Sequence, residues 1–163
     1  MHEARIAADK ASDLFAEGST QPAAVKSGIF IGCSGWYYRD WEGCFYPPSL
    51  EGKDWFPYYA DRFRTVELNA PFYSWPKVAT VKTWVRQARG RPFVYTVKVN
   101  ELITHSKRFR RTKTLVRDFG YIADLLGPQM GCFLFQMPPG YAYTPARLKS
   151  IVGQLDPARR NVV

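Results

Sequence analysis

The fold is decided by residues 93–136, which read FVYTVKVNELITHSKRFRRTKTLVRDFGYIADLLGPQMGCFLFQ. The stretch opens with a run of β-branched and aromatic residues, which is typical of a strand. Apolar residues then recur at helical spacing over 112–126, and Gly127 and Pro128 end that helix. A second apolar run, 131–136, predicts another strand. Strand, helix and strand in this order indicate a βαβ unit, in which the two strands are parallel.

The same alternation extends along the chain in both directions. Further strands are predicted at 28–33, 65–69 and, as an opening only, 161–163. Further helices are predicted at 54–63, at 77–88 and after Thr144, the last with Leu148, Ile151, Val152 and Leu155 facing inward. Four βα units and the start of a fifth strand predict an α/β fold, an incomplete TIM-type barrel, because a complete barrel needs eight strands and about 250 residues. An open doubly wound sheet is the alternative, although its GxGxxG phosphate loop is absent after the first strand.

The sequence gives no indication of a membrane protein, a secreted protein or a metal-binding protein. No apolar run approaches the roughly 20 residues of a membrane helix, and residues 1–27 lack the plan of a secretory signal. We therefore expect a cytoplasmic protein without membrane contacts, with a flexible leader at 1–27 and one domain at 28–163. The three cysteines have no CxxC spacing and histidines are few, so neither a metal site nor a cofactor is predicted.

Positive charge is concentrated in one segment. The chain has a formal net charge of +9, and Lys107, Arg108, Arg110 and Arg111 lie close together just before the third helix. Such a cluster binds phosphate groups or nucleic acid, or else it is simply a solvated loop. The sequence leaves both interpretations open.

Four motifs occur in a characteristic order. They are GCSGWYYRDW at 32–41 with GCFYP at 43–47, FRTVELN at 63–69 with FY at 72–73, Lys98 with ITH at 103–105, and LFQMPP at 134–139. Together they resemble the YecE-like family, also called domain of unknown function 72, over its N-terminal part. The resemblance implies a TIM-type barrel whose biochemical role is not established, and a family chain that continues past the fifth strand.

Function in such barrels gathers at the carboxyl ends of the strands, the mouth of the barrel. Because side chains two residues apart share a face of a strand, Glu67 and Asn69 are expected on the inner face, together with Lys98 and Gln136. One interpretation is a structural Glu67–Lys98 ion pair completed by the two amides. The other is a substrate site, in which Glu67 and Lys98 exchange protons or orient an anion while Asn69 and Gln136 hydrogen-bond the ligand.

Other candidates flank this group. His105 follows the third strand and is a candidate general base or phosphate ligand, or an inconsequential surface histidine. Trp36, Tyr37 and Trp41 follow the first strand and either stack on a ligand ring or plug the mouth. Ser34 and Tyr73 belong to the family motifs and are expected to bind ligand.

Three functions remain open at this point. The first is a barrel that binds an anionic or phosphate-bearing ligand at its mouth, with Glu67, Lys98 and His105 as candidate catalytic residues. The second is a nucleic-acid-binding module without catalysis, and the third is an inactive truncated relic. Because open strand edges carry unpaired backbone groups, we also expect self-association or marginal stability.

Overall fold

The computed structural model describes residues 28–88 and 90–163, and the predicted leader at 1–27 lies outside them. Five strands form one sheet, and each neighbouring pair is parallel. In chain order they are β1 (Cys33–Ser34), β2 (Thr65–Leu68), β3 (Val94–Lys98), β4 (Met130–Leu134) and β5 (Asn161–Val162). The order in the sheet is β1-β2-β3-β4-β5. It never reverses, so the sheet lacks the switch point that defines a doubly wound fold.

Helices connect the strands. They are α1 (Trp55–Ala60), α2 (Ala70–Tyr73), α3 (Val78–Gln87), α4 (Lys113–Phe119), α5 (Tyr121–Leu126) and α6 (Pro145–Val152). Thr144 caps α6 as predicted, since its hydroxyl accepts a hydrogen bond from the backbone N–H of Arg147 at 3.2 Å. Among the described residues, no helix is both long and apolar enough to cross a bilayer.

The two faces of the sheet differ in polarity. On one face Val66, Leu68, Tyr95 and Val97 are buried in the hydrophobic core, where they meet residues of the helices. The alternate residues of the same strands are only half-buried. Because β1 and β5 both remain edges, the sheet is open and its polar face is accessible.

The first strand is much shorter than the predicted 28–33. Cys33 is paired with Val66, so Thr65, the first residue of β2, lies opposite Gly32. Residues 28–31 therefore extend past the start of β2 and have no strand to pair with, and Ile29 is 94% exposed. Gly32 is required here, because a Cβ atom would lie 2.1 Å from the carbonyl oxygen of Thr65.

Other predicted boundaries also need correction. The helix predicted over 112–126 is interrupted at Gly120, whose N–H bonds to Arg117 three residues earlier. β4 ends at Leu134, so Gln136 lies beyond it. In α6, Leu148 and Val152 are exposed instead of facing the core. The reason is that β5 is the sheet edge, so among the described residues no further helix packs against the outer side of α6.

Candidate functional site

Polar side chains form a row across the inner, half-buried face of the sheet. Ser34, Glu67, Thr96 and Cys132 follow one another in register on β1 to β4. Lys98 lies two residues nearer the carboxyl edge than Thr96, on the same face. Glu67 and Lys98 thus share the inner face, as the alternation of side chains requires.

The end of β2 is connected to the end of β1 by side chains. Asn69 Nδ2 donates a hydrogen bond to Ser34 Oγ at 2.7 Å. The Tyr38 hydroxyl donates to the carbonyl oxygen of Ser34. Two of the predicted ligand-binding residues, Ser34 and Asn69, are therefore in direct contact.

The ring of Phe72 is the centre of a second group. Lys98 Nζ lies 4.8 Å from its centroid, within the range of a cation–π contact. The His105 and Tyr73 rings meet it edge-on, with centroid distances of 5.0 and 4.9 Å. Phe72 thus brings Lys98, His105 and Tyr73 together at the carboxyl edge of the sheet, although they come from three different segments.

Asn100 joins two of these three segments by hydrogen bonds. It is 7% exposed and follows β3 directly. Its Nδ2 donates to the carbonyl oxygen of Pro71 at 2.9 Å, and its Oδ1 accepts from the N–H of Leu102 at 3.0 Å. One side chain thereby joins α2, which carries Phe72, to the turn Leu102–Ser106, which carries His105.

Lys98 and His105 have few polar partners within the described residues. Within the described residues, Lys98 Nζ makes no ion pair and donates no hydrogen bond, so the expected Glu67–Lys98 ion pair is not formed. His105 Nδ1 shares a hydrogen bond of 2.9 Å with the buried hydroxyl of Thr104, and the described residues offer no second one. A half-buried ammonium without a protein acceptor is suited to an anion or to water.

Gln136, expected on the inner face with Glu67, Asn69 and Lys98, is not part of a strand. It is exposed, lies two residues beyond the end of β4, and makes no side-chain hydrogen bond within the described part of the chain. Periodicity placed it on the inner face because it assumed a strand through 136. The strand ends earlier, so the alternation no longer governs Gln136.

The aromatic loop after β1 is mainly a packed cluster. Trp41 lies against Tyr38, Phe45 and Tyr46, and Trp36 meets Phe56 edge-on at 5.0 Å. These rings are held by one another, which favours a structural role for Trp36 and Trp41. Tyr37 is the exception, because more than half of it is exposed while its ring lies 4.8 Å from that of Trp55.

Tyr46 anchors that cluster. Its ring is stacked on Trp55 at 4.7 Å with an interplanar angle of 5°, and its hydroxyl donates to the carbonyl oxygen of Trp36. Burial, with a smaller contribution from Cys33, raises the pKa of Tyr46 to about 12. Burial likewise raises the pKa of Tyr59 and Tyr95 far above the ordinary tyrosine value.

The predicted phosphate-binding residues Lys107, Arg108, Arg110 and Arg111 form one exposed turn, which we call the basic loop (residues 107–111). Its central residue, Phe109, is 3% exposed and lies 5.5 Å from Phe135, centroid to centroid. The backbone has positive φ at Arg108 (47°), Phe109 (57°) and Arg111 (54°), a conformation that non-glycine residues seldom adopt.

Gln154, in the turn after α6, makes hydrogen bonds to the basic loop and to Thr112. Its Nε2 donates to the carbonyl oxygen of Phe109 at 2.7 Å, and its Oε1 accepts from both the N–H and the hydroxyl of Thr112 at 2.9 Å. Thr112, which is fully buried, directly follows the basic loop. Gln154 therefore holds both the middle of the loop, at Phe109, and its end, at Thr112.

A large open concavity lies near the amino-terminal ends of the strands. It measures about 1100 Å³ and is lined by Thr65, Val94 and Thr96 together with the loops that precede β4 and β5. These residues mark the amino-terminal half of the inner face. The large concavity therefore does not contain the polar group around Phe72, which lies at the carboxyl edge of the sheet.

Sequence reasoning missed three residues that organise the site: Phe72, Asn100 and Gln154. Phe72 stood in a family motif beside Tyr73, but an apolar ring does not by itself indicate a binding or catalytic role. Asn100 followed a predicted strand directly, which was a usable signal for a buried polar clamp. Gln154 is 42 residues from Thr112, and nothing local in the sequence links the two.

Comparison with known proteins supports the resemblance seen in the motifs. The sequence model described as protein of unknown function DUF72 matches residues 30–163. The chain is similar to a DUF72 family protein from Thermotoga maritima, with 27% identity and a TM-score of 0.63 over 77% of this chain and 52% of that one. A DUF72 family protein from Enterococcus faecalis has 18% identity and a TM-score of 0.51, over 62% and 42% of the two chains.

The likeness to the Enterococcus faecalis protein supports the fold only, because the identity is low. This chain spans about half the length of the solved relatives that it matches. No curated protein matches it.

Proposed function

Because the chain belongs to the DUF72 family of proteins of unknown function, we propose a function from its own geometry: the carboxyl edge of the sheet binds an anionic, phosphate-bearing ligand. One observation carries the proposal. Lys98 and His105 converge on the Phe72 ring, and no described carboxylate neutralises the Lys98 ammonium. A phosphate group would supply the acceptors that this ammonium lacks.

The neighbouring residues suit the rest of such a ligand. Asn69 and Ser34 are already oriented by their mutual hydrogen bond and have further donor and acceptor capacity. Tyr73 is 73% exposed beside Phe72, so its ring is available to stack on a sugar or base. Lys98 and His105 would thus bind the phosphate group of the ligand. The amide of Asn69, the hydroxyl of Ser34 and the ring of Tyr73 would orient the rest of it.

We also propose that the open sheet is part of a TIM-type barrel. The support is the unreversed order of parallel strands and the likeness to a longer DUF72 family protein. In a barrel the residues of this site would lie at the mouth, where ligands of such folds bind.

A thermal unfolding assay tests the proposal. With inorganic phosphate or a nucleoside 5′-monophosphate at about 100 times its Kd, mass action stabilises the folded chain by about 2.7 kcal/mol. For a chain of this size that corresponds to a Tm increase of about 5–10 °C. Lys98→Met is expected to lose the increase, because the substitution keeps the length of the side chain and removes its charge.

The matched control is Lys82→Met, which removes an exposed lysine of α3. Sodium chloride at equal ionic strength separates a specific site from general screening. If phosphate compounds leave the Tm unchanged, or raise it equally in wild type and Lys98→Met, the proposed site is wrong.

A further inference from the structure

We infer that the basic loop is a second phosphate-contacting element, so that the ligand of this edge is a single strand of nucleic acid. The inference rests on the proposed function, since it extends the same site from one phosphate to several. The first support is charge. Lys107, Arg108, Arg110 and Arg111 are all exposed, and none is paired with a described carboxylate.

Three arginines elsewhere in the described chain, by contrast, do have a carboxylate partner. Arg91 pairs with Asp61, Arg117 with Asp118, and Arg159 with Asp124. The basic loop therefore combines four cations at close sequence spacing without internal neutralisation. Such a patch attracts a polyanion and releases the counterions of its phosphates on binding.

The second support is preorganisation. Positive φ at three residues of a five-residue turn is costly, and such strain persists only where the surroundings impose it. Here the buried Phe109 ring and the Gln154 hydrogen bonds impose it. Because these contacts use Phe109 and backbone groups, the loop is held in shape while its four cationic side chains stay in solvent.

The third support is position. His105 comes two residues before Lys107 and contacts Phe72, which in turn contacts the exposed Tyr73. Ring contacts thus join His105 through Phe72 to the exposed Tyr73, and the basic loop follows His105 directly in the chain. Cationic groups that track a backbone, combined with rings on which bases stack, are the usual arrangement for single-stranded nucleic acid.

The same geometry disfavours an anionic membrane surface as the partner. Basic segments that bind membranes usually direct apolar side chains outward into the lipid. In this loop the one apolar residue, Phe109, is directed into the core. The loop therefore offers charge without an apolar anchor.

The test measures the anisotropy of a fluorescein-labelled oligothymidylate of about 20 nucleotides, long enough to cover the edge. Each phosphate contact on a single strand contributes about 0.7 to the slope of log K against log salt. The four contacts of the basic loop by themselves contribute a factor of about fifty to the loss of affinity between 50 and 200 mM salt. In the double variant Lys107→Gln/Arg110→Gln, two of these four contacts remain, and the factor that the loop contributes falls to about seven.

Both substitutions avoid the residues with positive φ, so the loop is expected to keep its shape. The matched control, Lys82→Gln/Arg86→Gln, removes the same charge from exposed positions on α3. It is expected to keep the wild-type salt dependence. An equal change of slope in both double variants would overturn the inference, because it would mean a response to net charge alone.

Further outcomes separate this inference from the proposed function. If the monophosphate raises the Tm but the oligonucleotide binds no more tightly than the monophosphate, the inference is overturned and the proposed function stands. If the basic-loop variant weakens oligonucleotide binding while Lys98→Met changes neither assay, the nucleic-acid surface stands and the Lys98 site fails. Stronger binding to phosphatidylserine vesicles than to the oligonucleotide would also overturn the inference.

Discussion

Asn100→Ala is expected to destabilise the fold and to disorganise the candidate site at the same time. The substitution removes two hydrogen bonds of a side chain that is 7% exposed, and it leaves the Pro71 carbonyl and the Leu102 N–H without their partner. Pro71 is buried, so its unpaired carbonyl costs about 1–3 kcal/mol, whereas Leu102 is 38% exposed, so losing the bond to its N–H costs about 1 kcal/mol. We therefore expect a loss of about 2–4 kcal/mol, or a decrease in Tm of about 5–15 °C for a chain of this length.

Asn69→Ala provides a control with the same chemical change. Asn69 makes one solvent-accessible hydrogen bond, to Ser34. Its loss is expected to change stability by about 0.5 kcal/mol or less. Unfolding followed by circular dichroism measures both variants, and the Tm increase with phosphate reports the site.

The two variants separate stability from binding. Asn100→Ala is expected to reduce both, since it releases α2 from the turn that carries His105, whereas Asn69→Ala reduces binding alone. If Asn100→Ala were no more destabilising than Asn69→Ala, the clamp described here would not exist.

Three further predictions concern the rest of the molecule. Gln154→Leu removes the hydrogen bonds that hold the basic loop, so trypsin should cleave after Lys107–Arg111 several times faster than in wild type; an unchanged rate would contradict the role of Gln154. Burial raises the pKa of Tyr46 to about 12 in the folded protein, whereas it is about 10 in the unfolded chain. As the pH rises, the unfolded chain therefore loses this proton first. The contribution of Tyr46 to the free energy of unfolding is complete below pH 10 and declines between pH 10 and pH 12. The full loss is on the order of 2–3 kcal/mol, of which about half falls between pH 9 and pH 11, and urea unfolding at these two pH values should find a smaller decline in Tyr46→Phe. Because β1 and β5 are open edges, we expect the 163-residue chain to self-associate, whereas light scattering that finds a monomer with concentration-independent unfolding would exclude this.

The candidate site was predictable where it depends on strand periodicity. Glu67 and Lys98 are on the inner face because each alternates with buried residues inside a strand of four or five residues. For Gln136 the periodicity argument assumed a strand through residue 136, whereas β4 ends at Leu134, because strand ends are set by pairing with neighbours. The 28–33 strand was overextended for the same reason, since β2 begins too late to pair with residues 28–31.

The sequence by itself determined the parallel α/β architecture, the order of its elements and the family, because these follow from local periodicity and contiguous motifs. The contacts that assemble the site were decided only by the tertiary structure. Phe72 meets Lys98 and His105, Asn100 reaches Pro71, and Gln154 reaches Thr112 across 42 residues. The physical reason is that such contacts depend on the relative position of separate segments, which packing sets and local sequence patterns do not encode.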